Sequence, residues 1–537
     1  MPLSTLDPLG GAKYALEGRV VTMNDAGDVL KRGTIYIDAG EIKAALPSNA
    51  PAPDGFEDAP IIKTGGTIYP GLIELHNHLS YNVLRLWDVP KQYTNRDQWG
   101  GTDVYRKLIS GPMNVLGKTA GYVEAIVRYV ECKCLLGGTT TSQGIALFSN
   151  AGIPKFYRGV VRNAEAPDSP NLPAASARIA DVEATDATKF MERLRKGSCL
   201  LLHLSEGIDQ AAHQHFEALH LADDTWAIAP SLAGIHCVAL NESDFEAMQK
   251  NGGAMIWSPL SNLLLYRQTA DVKAAKAQGV LMGIGSDWSP SGSKNVLGEL
   301  KVARLMSEAL GGVFTDRELV ALATRNPAKI LKWDHLLGSI EAGKRADLVV
   351  VSGRTGDPYA HLIKAKETGI SLVVIDGAPR VGRTTLMKHF GSGTEKWKVG
   401  GSTRVLNLAQ ETADPVVGAL TLKEARDRLL DGLERLKELA IRLEHPTPGV
   451  LAPEPEFTLL LEHDDESLGT ERPHLPFGGT LTAQMPLGVL AAEPLSEIVG
   501  PLELDALTVA DDDSFLKQIA QEKNLPDAVK QGLKDLY

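Results

Sequence analysis

His76 and His78 stand two residues apart at the end of an apolar run, GLIELHNH, directly after Pro70-Gly71. If that run is a strand, alternation puts both imidazoles on one side, where they can share a divalent ion. An H-x-H pair alone is a weak sign, because it also arises in polar turns. Its company strengthens it. His203 ends the apolar run SCLLLH, His236 ends SLAGIH, and Asp287 ends VLMGIGSD. Any one of these reads as a capped loop or a satisfied histidine, but five ligand-capable side chains at apolar-run ends are not independent accidents. His76, His78, His203 and Asp287 supply three nitrogens and a carboxylate, a set suited to one divalent ion, zinc first and ferrous iron second, with a position left for water.

Such residues need a fold that gathers distant strand ends. Eight apolar runs, at 71–76, 137–144, 157–165, 176–182, 198–206, 231–236, 254–259 and 280–287, alternate with helical stretches such as DATKFMERLRKG, NESDFEAMQKNG and TADVKAAKAQG. This is the size and rhythm of an α/β chain built on a (β/α)8 TIM barrel, whose catalytic face lies at the C-terminal strand ends. A doubly wound open sheet uses the same units, so strand count alone does not prove closure. The barrel is expected over residues 70–333. Short β-rich runs on either side, in 1–69 and 334–395, predict one small composite β-sandwich domain. Residues 396–537 form a C-terminal extension of helical and irregular character. Within it, TLKEARDRLLDGLERLKELAIRLEH opens with a capping box, Thr421 and Glu424, and spaces its leucines by three and four, which predicts a long amphipathic helix over 421–445. Packing of that helix on its own barrel is favoured over pairing with a second subunit, and homo-oligomerisation stays open.

The net charge of -12 is spread along the chain without a Lys/Arg-rich run, which excludes nucleic acid as an expected partner. No apolar run approaches the roughly 18–20 residues of a membrane span, and the N-terminus lacks a basic segment followed by an apolar one. No membrane association is expected, and a cytoplasmic location is. Four cysteines are too few to staple a chain of 537 residues. Cys132 and Cys134, on a helical stretch, point in different directions and read as buried thiols. His213, His215 and His220 read as a solvated helix face.

PGLIELHNH, the H-x-x-E of His203 to Glu206, GIH at 234–236, SPLSN at 258–262 and GSD at 285–287 together resemble the amidohydrolase superfamily, and within it the deaminase and triazine-hydrolase (chlorohydrolase) branch. The order and spacing of all five match over residues 14–390, with ADLVVV at 346–351 resembling the closing sheet. The resemblance implies a hydrolase acting on a carbon–nitrogen bond of a small molecule, by deamination or by amide or lactam cleavage. It implies that His76, His78, His203 and Asp287 bind the ion and that Asp287 also accepts a proton from water. Glu206 would shuttle a proton to the leaving group, and His236 would polarise the substrate.

Other readings of the same residues stand beside these. Glu206 could cap the following helix, and His236 could be a fourth nitrogen ligand. Binuclear relatives carry a lysine at the end of the fourth strand that SARIADV lacks, which favours one ion, although Glu165 could supply a bridging carboxylate. The long loop SYNVLRLWDVPKQYTNRDQWGG brings Asn82, Trp87, Tyr93, Asn95 and Trp99 to the expected catalytic face, either as substrate contacts or as a lid packed on its own aromatics. SDWSPSGSKN departs from the branch's usual turn, so that Trp288, Ser289 and Ser291 would narrow the site. The competing functions are a non-catalytic barrel scaffold or interaction protein, and a metal-dependent hydrolase of another bond, carbon–halogen or phosphoester.

Overall fold

The computed structural model describes residues 6–7, 11–149, 153–178, 187–221, 223–391, 395–409, 417–446, 456–461 and 493–537 of the chain. The protein is mixed α/β. Five parallel strands, Ser176–Arg178, Leu200–Leu204, Leu232–His236, Ala254–Trp257 and Leu281–Ile284, pair in sequence order. Three more, Leu72–Glu74, Thr139–Ser142 and Arg162–Asn163, form a second parallel sheet. Each of the eight strands falls inside one of the apolar runs. The end of the fourth run, residues 179–182, lies outside the described residues.

Backbone hydrogen bonds span both gaps between these two sheets. Ala175 N–H donates to Ala164 O at 2.9 Å. On the other side Asn77 and Asp287 form a parallel bridge, with Asp287 N–H donating to His76 O at 3.0 Å and His78 N–H to Asp287 O at 2.6 Å. Alternation sorts the side chains: Ile73, Leu75, Leu201, Ala233, Ile235, Ala254 and Ile256 share one buried cluster. Leu72, Leu200, Leu202, Met255, Trp257 and Ile284 belong to another, together with residues of the surrounding helices.

A nine-stranded sheet draws on both sides of this region. Tyr14–Val21, Val29–Asp38, Glu41–Pro47 and Ile61–Pro70 meet Leu348–Ser352, Ile370–Ile375, Ala378–Arg383, Glu395–Val399 and Ser402–Leu406. The two groups join because Leu348–Ser352 pairs antiparallel with Ile61–Pro70 on one edge and with Ile370–Ile375 on the other. The last two strands lie at or beyond residue 395. Sequence reading missed a small antiparallel sheet in which Phe457–Leu459 pairs with Ala146–Ser149, and that strand with Pro154–Phe156.

The amphipathic stretch after residue 420 forms two helices, Leu422–Glu434 and Leu436–Glu444, rather than one. The capping box of Thr421 and Glu424 is present. Continuity fails at Arg435, with φ -101° and ψ 17°, where Leu502 N–H takes the Leu433 carbonyl that Lys437 would have used in an unbroken helix. Leu422, Ala425, Leu429, Leu433, Leu436 and Ala440 are buried, packed largely on the Tyr122–Leu136 helix and its neighbours in the same chain. Two short helices, Phe515–Gln521 and Asp527–Leu536, close the chain. Among the described residues no helix is long and apolar enough to cross a membrane.

Candidate active site

The strand ends converge. His76 Nε2 lies 3.0 Å and His78 Nε2 3.4 Å from Asp287 Oδ1. The His76 ring centroid is 4.7 Å from that of His203 and 5.0 Å from that of His236, and those of His78 and His203 are 5.3 Å apart. Ligand atoms of His76, His78 and Asp287 lie within 4.8 Å of one another, and so do those of His76, His203 and His236. All of these side chains except His78 are buried. His236 and Asp287 hold left-handed backbone, with φ of 69° and 66°, and Ser205 has φ 51°. Such conformations cost on the order of 1–3 kcal/mol each and persist where surrounding structure imposes them.

Donor chemistry fits a cation. Among the described residues, His203 Nδ1 and Nε2 and His76 Nε2 are buried without a hydrogen-bond partner, a state that costs about 1–3 kcal/mol per group unless something else engages the lone pairs. Gln143 fixes which nitrogen of His76 is free. Its Oε1 accepts Asn77 N–H at 2.9 Å and sits 3.2 Å from His76 Nδ1, so Nδ1 carries the proton and Nε2 presents its lone pair beside Asp287. Burial would raise the Asp287 pKa, but His76, His236 and His78 outweigh it and hold the carboxyl well below the usual carboxylate range. Ser261 Oγ donates to Asp287 Oδ2 at 2.6 Å. Burial first, then His76 and Arg96, keeps His203 neutral by driving its pKa well down. Burial brings His236 to about 4 despite Glu206 and Asp287.

Glu206 Oε2 lies 3.7 Å from His236 Nε2. Tyr266 OH donates to Glu206 Oε1 at 2.9 Å, and Arg96 Nη1 to Oε2 at 3.1 Å. Glu206 does not cap the next helix: that helix starts at Gln210, and Asp209 accepts from Ala212 N–H as its cap. Glu165 accepts Gly144 N–H at 2.7 Å and lies 3.5 Å from Gln143 Nε2, so its carboxylate supports the residue that orients His76. Burial raises its pKa to about 7.

The long first loop is tied across the strand ends. Trp87 N–H donates to Pro290 O, Tyr93 N–H to Leu265 O, and Arg96 N–H to Glu206 O, at 2.9, 2.9 and 3.2 Å. Trp87, Tyr93 and Trp99 are buried, and Trp99 packs 5.3 Å from Tyr105, as a lid closed on its own aromatics would. The Trp288 ring lies 5.6 Å from His78 and 6.0 Å from Trp99, bordering the histidines. Asn82 is buried, donating to Asn77 Oδ1 at 2.8 Å and accepting Ser289 N–H at 2.7 Å, so it braces the loop that carries His78. Asn95 donates to Asp209 Oδ2 at 2.7 Å. On the face read as solvated, His213 is partly covered, with Nε2 2.8 Å from Asp244 Oδ2, while the His220 side chain is 41% exposed and its ring lies tilted 4.8 Å from that of Trp226.

Sequence reading gave no role to Gln143, Arg96, Tyr266, Ser261 or Asn262. The last two stand inside SPLSN, where the motif itself was the available signal. The others touch the site from positions distant in sequence.

The amidohydrolase family matches residues 67–379, more than half of the chain and every converging residue. The chain belongs to the amidohydrolase family. A 5-methylthioadenosine/S-adenosylhomocysteine deaminase from Desulforudis audaxviator is 25% identical over 389 residues, covering 64% of this chain and 88% of that protein. Two solved structures share the fold. An adenosine deaminase from Xanthomonas campestris with bound zinc has a TM-score of 0.53 at 17% identity, over 80% of this chain and 99% of its own. A triazine hydrolase from Arthobacter aurescens has a TM-score of 0.53 at 19% identity, over 68% and 94%. This amidohydrolase is a hydrolase acting on carbon–nitrogen bonds of small molecules other than peptides, and the donor set at its strand ends fits a divalent cation.

Gly285 lets the last strand end approach His76. A Cβ there would fall 2.5 Å from His76 Cβ and from its carbonyl oxygen. Backbone cannot yield cheaply at that distance, so Gly285→Ala is expected to lose about 1–3 kcal/mol of stability as an overpacked site and to displace the histidine. Thermal unfolding and elemental analysis should show a lower Tm together with metal content well below that of the parent.

Proposed function

We propose that this chain is a mononuclear, zinc-preferring deaminase of a small planar nitrogen heterocycle, with His76, His78, His203 and Asp287 as metal ligands. The observation that carries the reading is the meeting of Glu206 and His236, 3.7 Å apart, where His236 also groups with His76 and His203. The eight parallel strands are read as one closed (β/α)8 barrel over residues 70–333, supported by the backbone bonds across both gaps. Residues up to 69 and from 334 to 406 are assigned to the composite sheet domain, and the remainder to the C-terminal extension.

When bound, a divalent ion supplies Lewis acidity and lowers the pKa of a coordinated water towards about 7. The chain's own groups do the rest. Asp287, held ionised by its histidines, accepts a proton as attack proceeds. His236, itself buried, donates to the oxygen that develops negative charge, where such a bond is stronger than in water. Glu206, positioned by Tyr266 and Arg96, takes up the second proton of the attacking water and hands it to the departing nitrogen. A single ion is favoured because Glu165 is committed to Gly144 and Gln143. Trp288 and Trp99 are assigned to the substrate's planar face.

Deamination is preferred over amide cleavage because the curated relative above is named as a deaminase. Metal-loaded protein should release ammonia from a panel of 6-aminopurine nucleosides and smaller amino-heterocycles, and should leave lactams and acyl amides untouched. Turnover of the amides alone would move the reading to amide hydrolysis. No turnover of either group would contradict it.

A further inference from the structure

We propose that Trp257, Thr269 and Asn262 form a one-way hydrogen-bond relay that fixes the proton of His236 on Nε2, making this histidine a donor to the reacting centre and not a metal ligand. Trp257 Nε1–H donates to Thr269 Oγ1 at 2.6 Å, Thr269 Oγ1–H to Asn262 Oδ1 at 3.3 Å, and Asn262 Nδ2 lies 2.9 Å from His236 Nδ1. Direction enters at the first link, since an indole nitrogen can only donate. Thr269 must therefore accept there, and its own hydroxyl proton is left for the Asn262 carbonyl. This turns the Asn262 amide so that its NH2 faces His236. The flipped amide would take the acceptor away from the Thr269 hydroxyl proton and put a second donor beside that hydroxyl in its place. With Nδ1 accepting, a neutral imidazole carries its proton on Nε2, the atom that faces Glu206 Oε2.

The consequence separates two kinds of histidine in one cluster. His236 stands close enough to His76 and His203 to complete a nitrogen triad, yet its Nε2 has no lone pair to give. His76 is set the opposite way by Gln143, with Nε2 bare. One cluster thus holds a ligand and a donor, distinguished by the amide behind each ring. Trp257 and Asn262 are fully buried, and all three relay residues lie between positions 257 and 269, on the strand next to that of His236 and the segment that follows it. They are positioning residues. None needs to touch substrate.

The role given to His236 rests on the deaminase reading above, but the tautomer can be read without turnover. Full-length protein labelled with ¹⁵N-histidine, with His236 assigned by comparison with His236→Gln, should show by two-bond ¹H–¹⁵N correlation a bare Nδ1 and a protonated Nε2. Asn262→Asp should reverse the pattern, because a carboxylate at that place accepts from Nδ1–H. It should also lower kcat by about 10²-fold, as loss of one preorganised donor does, with KM changed little and metal content intact. Should Asn262→Asp misfold, Thr269→Val, at a half-buried site, should give a mixture of both tautomers and a smaller fall in kcat. A parent protein with the proton on Nδ1, or a tautomer unmoved in both variants, overturns the relay. A correct tautomer in a protein that turns over nothing would sink the deaminase reading and leave the relay standing.

Discussion

Replacing Glu206 by Gln lowers kcat by about 10³-fold, within the range of about 10²–10⁴ that a positioned acid–base group contributes, while the metal stays bound. Gln keeps the volume and can still accept from Tyr266 OH, so the lid and its aromatic packing are retained. What it cannot do is take up a proton and pass it on. At about 1.36 kcal/mol per tenfold, the loss amounts to roughly 4 kcal/mol in the step that releases nitrogen. Elemental analysis and thermal unfolding should leave the variant near the parent. If turnover persists within a few fold, Glu206 is a structural partner of Arg96 and Tyr266, and the proton must come from elsewhere.

Asp287→Asn should be more severe, because one carboxylate serves two ends. Its Oδ1 faces His76 and His78, and its Oδ2 accepts from Ser261. The amide preserves shape and removes the negative charge set beside those rings. Affinity for a divalent ion should fall, and with it kcat/KM, by at least about 10³-fold, since Lewis-acid stabilisation is worth several kcal/mol and the proton acceptor is lost as well. Titration with excess zinc should recover part of the metal content but not the rate. Equal recovery of both would assign Asp287 to binding alone. The variant also tests strain: Asp287 holds a φ of 66°, and Asn tolerates the left-handed region about as well, so no large change in Tm is expected from the backbone.

The chemistry-bearing residues were legible because each ends an apolar run, and apolar runs are local. His76, His203, His236 and Asp287 could be placed without knowing their neighbours, since a strand that stops at a polar, ligand-capable residue says where its C-terminal end is. Their supporting residues were not legible for the converse reason. Gln143 meets His76 across 67 positions, Tyr266 meets Glu206 across 60, and Arg96 meets Glu206 across 110. No window of periodicity spans such distances.

The same limit explains the broken helix. Spacing of leucines from 422 to 443 is continuous, and only the arrival of Leu502 at the Leu433 carbonyl interrupts it. The C-terminal residues are bound to the rest of the chain by groups that sequence reading would place on the surface. Lys133 and Lys294 are buried against Asp505, and Lys294 lies 2.7 Å from Asp512. Lysines are almost never fully buried unless paired, and here the partner comes from more than 200 residues downstream. Lys133 also donates to the Asn82 carbonyl at 3.0 Å and to Ser289 Oγ at 2.7 Å. The extension is thereby coupled to the loops that carry His78 and follow Asp287.

Metal content of the purified full-length protein, measured beside turnover before and after a chelator and again after zinc is returned, tests the central claim most directly. Convergence of His76, His78, His203 and Asp287 predicts close to one divalent ion per chain, with turnover lost on its removal and regained on its return, and no stoichiometric ion in His203→Ala. Metal-free protein that works as well as the parent, or His203→Ala that keeps its ion, would contradict it.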